Sequence, residues 1–134
     1  MKRINNIYSI VTDLDTIIDM YDNSVRKNTK NKIKIEKFEN FYSENIKEIK
    51  EELINYSYIP GKYNIFMIRE PKVRIIMSQS IKDKIVNHLV ARYFLIDIFD
   101  KRLIDTNVAT RKNKGTHYGL NLMKKYLNKN YILT

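Results

Sequence analysis

The spacing of apolar residues changes at Ile59–Gly61, and this change constrains the fold more than any other feature. Upstream, apolar residues recur every three or four positions, as in helices that bury one face. From Tyr63 to Met77 they alternate with period two on both sides of Glu70–Pro71, a pattern typical of a β-hairpin. Because Glu-Pro is not a usual two-residue turn, we expect a longer, irregular loop there. The sequence therefore predicts an α+β fold, mostly helical with one basic β-hairpin.

The remaining segments are predicted from the same periodicity and from capping residues. Ser80 is a candidate N-cap, with Asp83 three residues later in a near capping box. The predicted elements, in order, are a helix Thr12–Lys27, a loop Asn28–Lys34, a helix from Ile35 to Tyr56, the hairpin, a largely buried helix from Ser80 to Ile98, a final helix Thr116–Asn128 with Leu120, Met123 and Leu127 inward, and the start of a strand at Tyr131. His88 is expected to be a core residue.

The net positive charge is confined to the second part of the chain. Residues 1–59 carry ten Lys/Arg and ten Asp/Glu, whereas residues 60–134 carry fifteen and five, so the net charge of +10 belongs to the latter. We therefore distinguish an N-terminal helical segment, 1–58, from a basic segment, 59–134, within one compact domain or fragment. Such a basic part suits a polyanionic partner, although a solvated lysine-rich surface explains it equally.

Composition excludes several classes of site. The chain has no cysteine, which removes disulfides, thiolate metal sites and cysteine nucleophiles. It has only two histidines, so no metal site is predicted. The N-terminus lacks the apolar core of a signal peptide, and the longest apolar run, Ile85 to Phe99, is short and contains charges. We expect a cytoplasmic protein without a membrane partner.

The hairpin carries the first group of candidate binding residues. Lys72 and Arg74 are two positions apart, so on one strand they would project from the same face, and Arg69 precedes the turn. Arginine matches phosphate oxygens with two parallel hydrogen bonds, and lysine supplies a point charge. The alternative is that these are ordinary edge-strand charges that discourage aggregation.

A second group precedes the final helix. Arg111, Lys112 and Lys114 lie in a basic loop that enters the helix through Gly115 and Thr116. A helix N-terminus offers unpaired amide groups to an anion, so this loop is a candidate phosphate-backbone contact. There is no Gly-Lys-Ser/Thr ending, which excludes a Walker-type loop.

Three blocks in this order resemble the fingers region of bacterial reverse transcriptases, most closely those of diversity-generating retroelements and group II introns. The blocks are IPGKYNIFMIREPKVRIIM (59–77), SIKDKIVNHL (80–89) and IFDKRLIDTNVATRKNKGTH (98–117). The first contains the family's Pro-Lys-x-Arg pattern, and Lys72 and Arg74 match it residue by residue. Lys84 replaces the arginine that is usual in the second block, and Asn107, Val108 and Asn113 depart from the third.

The resemblance implies a function for these residues. In the family, the basic residues of the hairpin reach the triphosphate of the incoming nucleotide or the template strand. The implied partners are an RNA template, a DNA primer and, in the full-length polymerase, the incoming nucleotide. Mg²⁺ is expected for that parent and no cofactor for this chain, because the family's catalytic aspartates would begin just beyond Thr134. The chain alone is predicted to be inactive.

Two alternatives remain open at this point. One is a stand-alone nucleic-acid-binding module from a degenerate polymerase gene. The other is a self-associating protein, in which the apolar stripe of the N-terminal helices pairs two copies. If the gene continues past Thr134 with an aspartate within a few residues, the chain is a fragment of a polymerase.

Overall fold

The computed structural model describes residues 6–130, so the strand predicted at Tyr131 lies outside the described residues. The described chain is mostly helical and contains one two-stranded antiparallel sheet, which confirms the α+β class. No helix within residues 6–130 combines the length and the apolar character needed to cross a bilayer.

The elements, in chain order, are as follows. The helices are α1 Ile7–Val11, α2 Leu14–Met20 with a π-helical continuation Tyr21–Arg26, α3 Lys32–Glu39, α4 Tyr42–Ile54, α5 Ile81–Leu89 with a π-helical continuation Val90–Ile96, α6 Asp97–Phe99 and α7 Thr116–Asn130. The strands are β1 Asn64–Ile68 and β2 Arg74–Ser78. The chain divides into two compact units, residues 1–94 and 95–134, and the charge boundary at residue 58 falls inside the first.

The first predicted helix is confirmed with a small shift of its start. The helix begins at Leu14 and not at Thr12, because Asp13 is the N-cap: its carboxylate accepts the backbone N–H of Thr16 at 3.2 Å. The π-helical turns continue it to Arg26 and bury Tyr21 and Val25.

The second predicted helix is in fact two helices, so that prediction is wrong. Phe41 leaves the helical region, with φ −127° and ψ 42°, and separates α3 from α4. At the break, the Phe38 carbonyl accepts the Phe41 N–H at 3.4 Å, and the side-chain amide of Asn45 adds a shorter bond to it at 2.9 Å. The predicted loop also ends early, because Asn31 caps α3 by accepting the N–H of Lys34 at 3.1 Å.

The core of the first unit is formed by its helices. Its buried apolar side chains are Val11, Ile17, Met20, Tyr21, Val25, Phe38, Ile46, Ile49, Ile81, Ile85, Val86 and Leu89. Burying each of the larger ones stabilises the fold by roughly 1.5–3 kcal/mol. The hairpin contributes no member to this core, so its position must be fixed by other interactions.

Asp83 is the one buried charged residue among those described, at 4% exposure. The predicted capping box is confirmed: the Asp83 N–H donates to the Ser80 hydroxyl at 3.0 Å, and that hydroxyl donates to the carboxylate at 2.7 Å. The other carboxylate oxygen accepts the Tyr58 hydroxyl at 2.6 Å and the Gly61 N–H at 3.1 Å. Burial acts to raise the pKa of Asp83, but these hydrogen bonds outweigh it and hold the pKa below its ordinary value.

Three burial predictions are wrong. The helix predicted from Ser80 to Ile98 is buried only as far as Leu89, because its π-helical continuation Val90–Ile96 contains no buried residue. His88 is exposed, because it lies on the side of α5 that faces away from the buried residues. Leu120, Met123 and Leu127 share one face of α7 as predicted, but each is about half exposed. Periodicity identifies residues that share a face; whether another element covers that face depends on the tertiary fold.

Replacing the Asp83 carboxylate should destabilise the first unit. We expect Asp83→Ala to lower the free energy of unfolding by about 2–4 kcal/mol, because three donors lose a buried ionised acceptor. Asp15→Ala removes an exposed carboxylate from the first turn of α2 and should cost less than about 0.5 kcal/mol. Urea unfolding of both variants measures the difference; equal effects would contradict the role given to Asp83.

The same carboxylate predicts an acid-dependent loss of stability. The folded-state pKa of Asp83 lies below its ordinary value of 3.8. The contribution of the carboxylate to the free energy of unfolding is therefore complete above pH 3.8 and is lost as the pH falls through the folded-state pKa. The gap in unfolding free energy between wild type and Asp83→Ala should be constant near neutral pH and narrow in acid. A gap that stays constant down to about pH 2 would contradict a depressed pKa.

Candidate nucleic-acid interface

The hairpin forms a regular ladder with a basic loop at one end. Asn64 pairs with Ser78 at its base, and Ile68 pairs with Arg74 at the other end. Residues 69–73 connect the strands, so the expectation of a loop longer than two residues is confirmed. The Glu70–Pro71 peptide bond in this loop is cis.

The register gives the two faces of the hairpin different chemistry. Side chains that oppose each other in an antiparallel pair lie on the same face, and successive residues alternate. One face therefore carries Arg74 and Ile76 opposite Ile68 and Phe66, with the polar pair at the base. The other face carries only Ile65, Met67, Ile75 and Met77, which are 56–65% exposed.

Three cations are concentrated at the loop end of the hairpin. Arg69 and Lys72 lie in the loop, and Arg74 begins β2; all three are exposed. Lys72 therefore does not lie on the same strand as Arg74, which corrects that expectation: the cis-proline loop extends to Val73. Within residues 6–130, the side chains of these three residues form no hydrogen bond or ion pair, and neither does the carboxylate of the nearby Glu70. The positive charge of this loop is left for a partner or for solvent.

The second basic group contains cations that are bonded to other groups of the chain and cations that are free to bind a partner. Arg111 is only 10% exposed, and its guanidinium donates to the Asp100 carboxylate at 2.7 Å. It also donates to three backbone carbonyls, those of Asp100, Ile104 and Asn107, at 2.9–3.2 Å. These four bonds organise the irregular segment that precedes α7, and the Arg111 side chain holds the pKa of Asp100 below its usual range.

The residues after Arg111 lead into the helix as predicted. Lys112 is exposed and, in the described part of the chain, has no hydrogen-bonding or ionic partner. Lys114 is bound to Asp105 at 3.1 Å and lies over the Tyr118 ring, 5.5 Å from its centroid. The carbonyl of Gly115 accepts the N–H of Gly119 at 2.9 Å, and α7 begins at Thr116. The first-turn amides of α7 thus start directly beside Lys112 and Lys114.

Sequence reasoning did not find one pair of cations that the fold brings together. Lys34 of α3 and Lys84 of α5 line the same cleft in the first unit. They are far apart in the chain, and no local motif joins them, so only the tertiary packing of α3 on α5 could reveal the pair. No group of three or more histidine or carboxylate side chains within residues 6–130 is arranged to hold a metal ion.

The hydrogen bonds of Arg111 predict a structural effect that its neighbour should not have. Arg111→Ala removes four bonds to residues 100–107, so amide hydrogen exchange in that segment should accelerate about tenfold or more. Lys112→Ala removes the same charge one position later and should leave exchange unchanged. Equal protection in both variants would contradict the organising role of Arg111.

No family model matches this chain, and no curated protein matches it either. Its function must therefore be inferred from the motifs and from the positions of its basic side chains.

Proposed function

We propose that this chain is the fingers region of an RNA-directed DNA polymerase and binds the phosphate backbone of an RNA template and a DNA primer. The observation that carries this proposal is the group of exposed, unpaired cations Arg69, Lys72 and Arg74 at one end of the hairpin. The Pro-Lys-x-Arg pattern lies at this same point. Guanidinium and ammonium groups without internal partners can donate to phosphate oxygens at no cost to the fold.

The N-terminus of α7 supports the same proposal. Lys112 is unpaired, and the first-turn N–H groups of a helix of 15 residues carry partial positive charge beside it. Lys114 and Gly115 position this turn, and Arg111 contributes by holding the preceding segment in place. A backbone phosphate is the ligand that such a combination of amides and cations favours.

The chemistry of nucleotide addition is proposed to lie elsewhere in the polymerase. Phosphoryl transfer by this class of enzyme uses two Mg²⁺ ions held by aspartates. On this proposal, the residues of the hairpin position the template and the incoming nucleotide, and the chain alone has no polymerase activity.

A second candidate is a stand-alone interaction module, and one observation favours it. The four aliphatic side chains Ile65, Met67, Ile75 and Met77 form an exposed apolar face on the hairpin. The apolar stripe of α3 and α4, which was the alternative surface for self-association, packs inside the first unit, since Phe38, Ile46 and Ile49 are buried. Self-association, if it occurs, would therefore use the hairpin face.

Binding of a primer–template should depend on the hairpin cations. We expect Lys72→Ala/Arg74→Ala to weaken binding of an RNA/DNA primer–template, measured by fluorescence anisotropy over a salt series. If each residue contacts one phosphate, the slope of log affinity against log salt should become shallower by about 1.4–1.8.

The matched control is Lys47→Ala/Lys50→Ala, which removes two charges from α4 that have no ionic partner within the described residues. It should bind like the wild type. An equal loss in both variants would mean that binding follows total charge and not the hairpin. Absence of binding at low salt would favour the second candidate.

A further inference from the structure

Two lysine side chains converge in a cleft at the base of the hairpin. Lys34 reaches it from α3 and Lys84 from α5, and both are half-buried. The cleft has a volume of about 290 Å³ and is also lined by Thr29, Asn64, Phe66 and Ser78. A third lysine, the exposed Lys30, lies at its edge. It belongs to the first unit and contains none of the cations at the hairpin loop.

The ammonium groups of Lys34 and Lys84 each have a neutral partner. The Lys34 Nζ donates to the Ser78 hydroxyl at 3.0 Å, and the Lys84 Nζ donates to the Thr29 hydroxyl at 3.2 Å. An ammonium group has three donors, so two remain on each lysine. Among the described residues, no carboxylate forms an ion pair with either.

The neighbouring Lys82 provides a contrast. Its Nζ lies 2.8 Å from a carboxylate oxygen of Glu48 and 2.6 Å from one of Glu52, so its charge is neutralised within the unit. At Lys84, burial and the charge of Lys34 both lower the pKa of the ammonium group. Two like charges that are partly removed from water repel each other, and a bound anion would relieve that cost.

We propose that this cleft binds a phosphoryl group of a nucleotide, with its oxygens between Lys34 and Lys84. The hydroxyls of Ser78 and Thr29 accept from the lysines and can donate their own protons to the same oxygens. The Phe66 ring supplies an apolar wall on which a base can stack, and the Asn64 side-chain amide can hydrogen-bond to its edge. The volume of about 290 Å³ lies at the lower limit of ligand pockets, about 300 Å³, so the cleft suits a ligand no larger than one nucleotide unit.

This site goes beyond the proposed function and does not rest on it. It uses no residue of the hairpin loop or of the α7 N-terminus, so it can exist whether or not the chain belongs to a polymerase. The phosphoryl group could come from a free nucleotide or from a nucleic-acid strand, because the chemistry of recognition is the same.

Nuclear magnetic resonance titration of the full chain tests the site with two probes. One probe is adenosine 5′-monophosphate, and the other is a single-stranded thymidylate 8-mer without a terminal phosphate. We expect backbone amide shifts at Thr29, Lys34, Ser78 and Lys84. Shifts with the monophosphate alone assign the site to a terminal or free phosphate, and shifts with the 8-mer assign it to an internal phosphodiester.

Variants establish that the lysines bind the probe. Lys34→Met/Lys84→Met should raise the dissociation constant at least tenfold, whereas Lys47→Met/Lys50→Met should leave it unchanged. Because the first variant removes a repulsive pair, its unfolding temperature should be no lower than that of the control; a marked decrease would show that the lysines serve the fold and would overturn the proposal. Failure of both probes to shift these amides in the wild type would also overturn it, independently of any variant.

Discussion

The position of the hairpin depends on the carboxylate of Asp83. One oxygen accepts from Tyr58 and Gly61, just before β1, and the other accepts from Ser80, just after β2. The segments that enter and leave the hairpin are therefore joined at a single buried charge, next to its base. A side chain at Gly61 would place its Cβ 3.2 Å from this carboxylate, which explains the need for a small residue there. Since the hairpin buries nothing in the core, charge-assisted hydrogen bonds take the place of apolar packing.

Features determined by local sequence were predicted, and features determined by distant contacts were not. The hairpin and the Ser80–Asp83 capping box follow from alternation and from spacing of three, so both were found. The separation of α3 from α4 was missed because it depends on Phe41 and on the Asn45 side chain, which donates to a carbonyl in the preceding helix. The Lys34–Lys84 pair was missed because it depends on distant contacts: the two residues meet only once α3 packs on α5.

The basic residues of the chain serve two different purposes. Arg26, Lys82, Arg111 and Lys114 have carboxylate partners and stabilise the structure in which they lie. By contrast, Arg69, Lys72 and Lys112 have none among the described residues. The net charge of the chain therefore overstates the number of cationic side chains that are available to bind a polyanion. The local field near the hairpin loop depends on the cations whose charge no neighbouring group cancels.

The register of β1 and β2 separates a polar side of the hairpin from an aliphatic one. A single-residue insertion in β2 between Arg74 and Ser78 would turn Arg74 to the face now occupied by Ile75 and Met67. An insertion in the connecting loop would leave every strand pair intact. The length of residues 69–73 can therefore change without altering the two faces of the hairpin, whereas an insertion in a strand changes which face its side chains occupy.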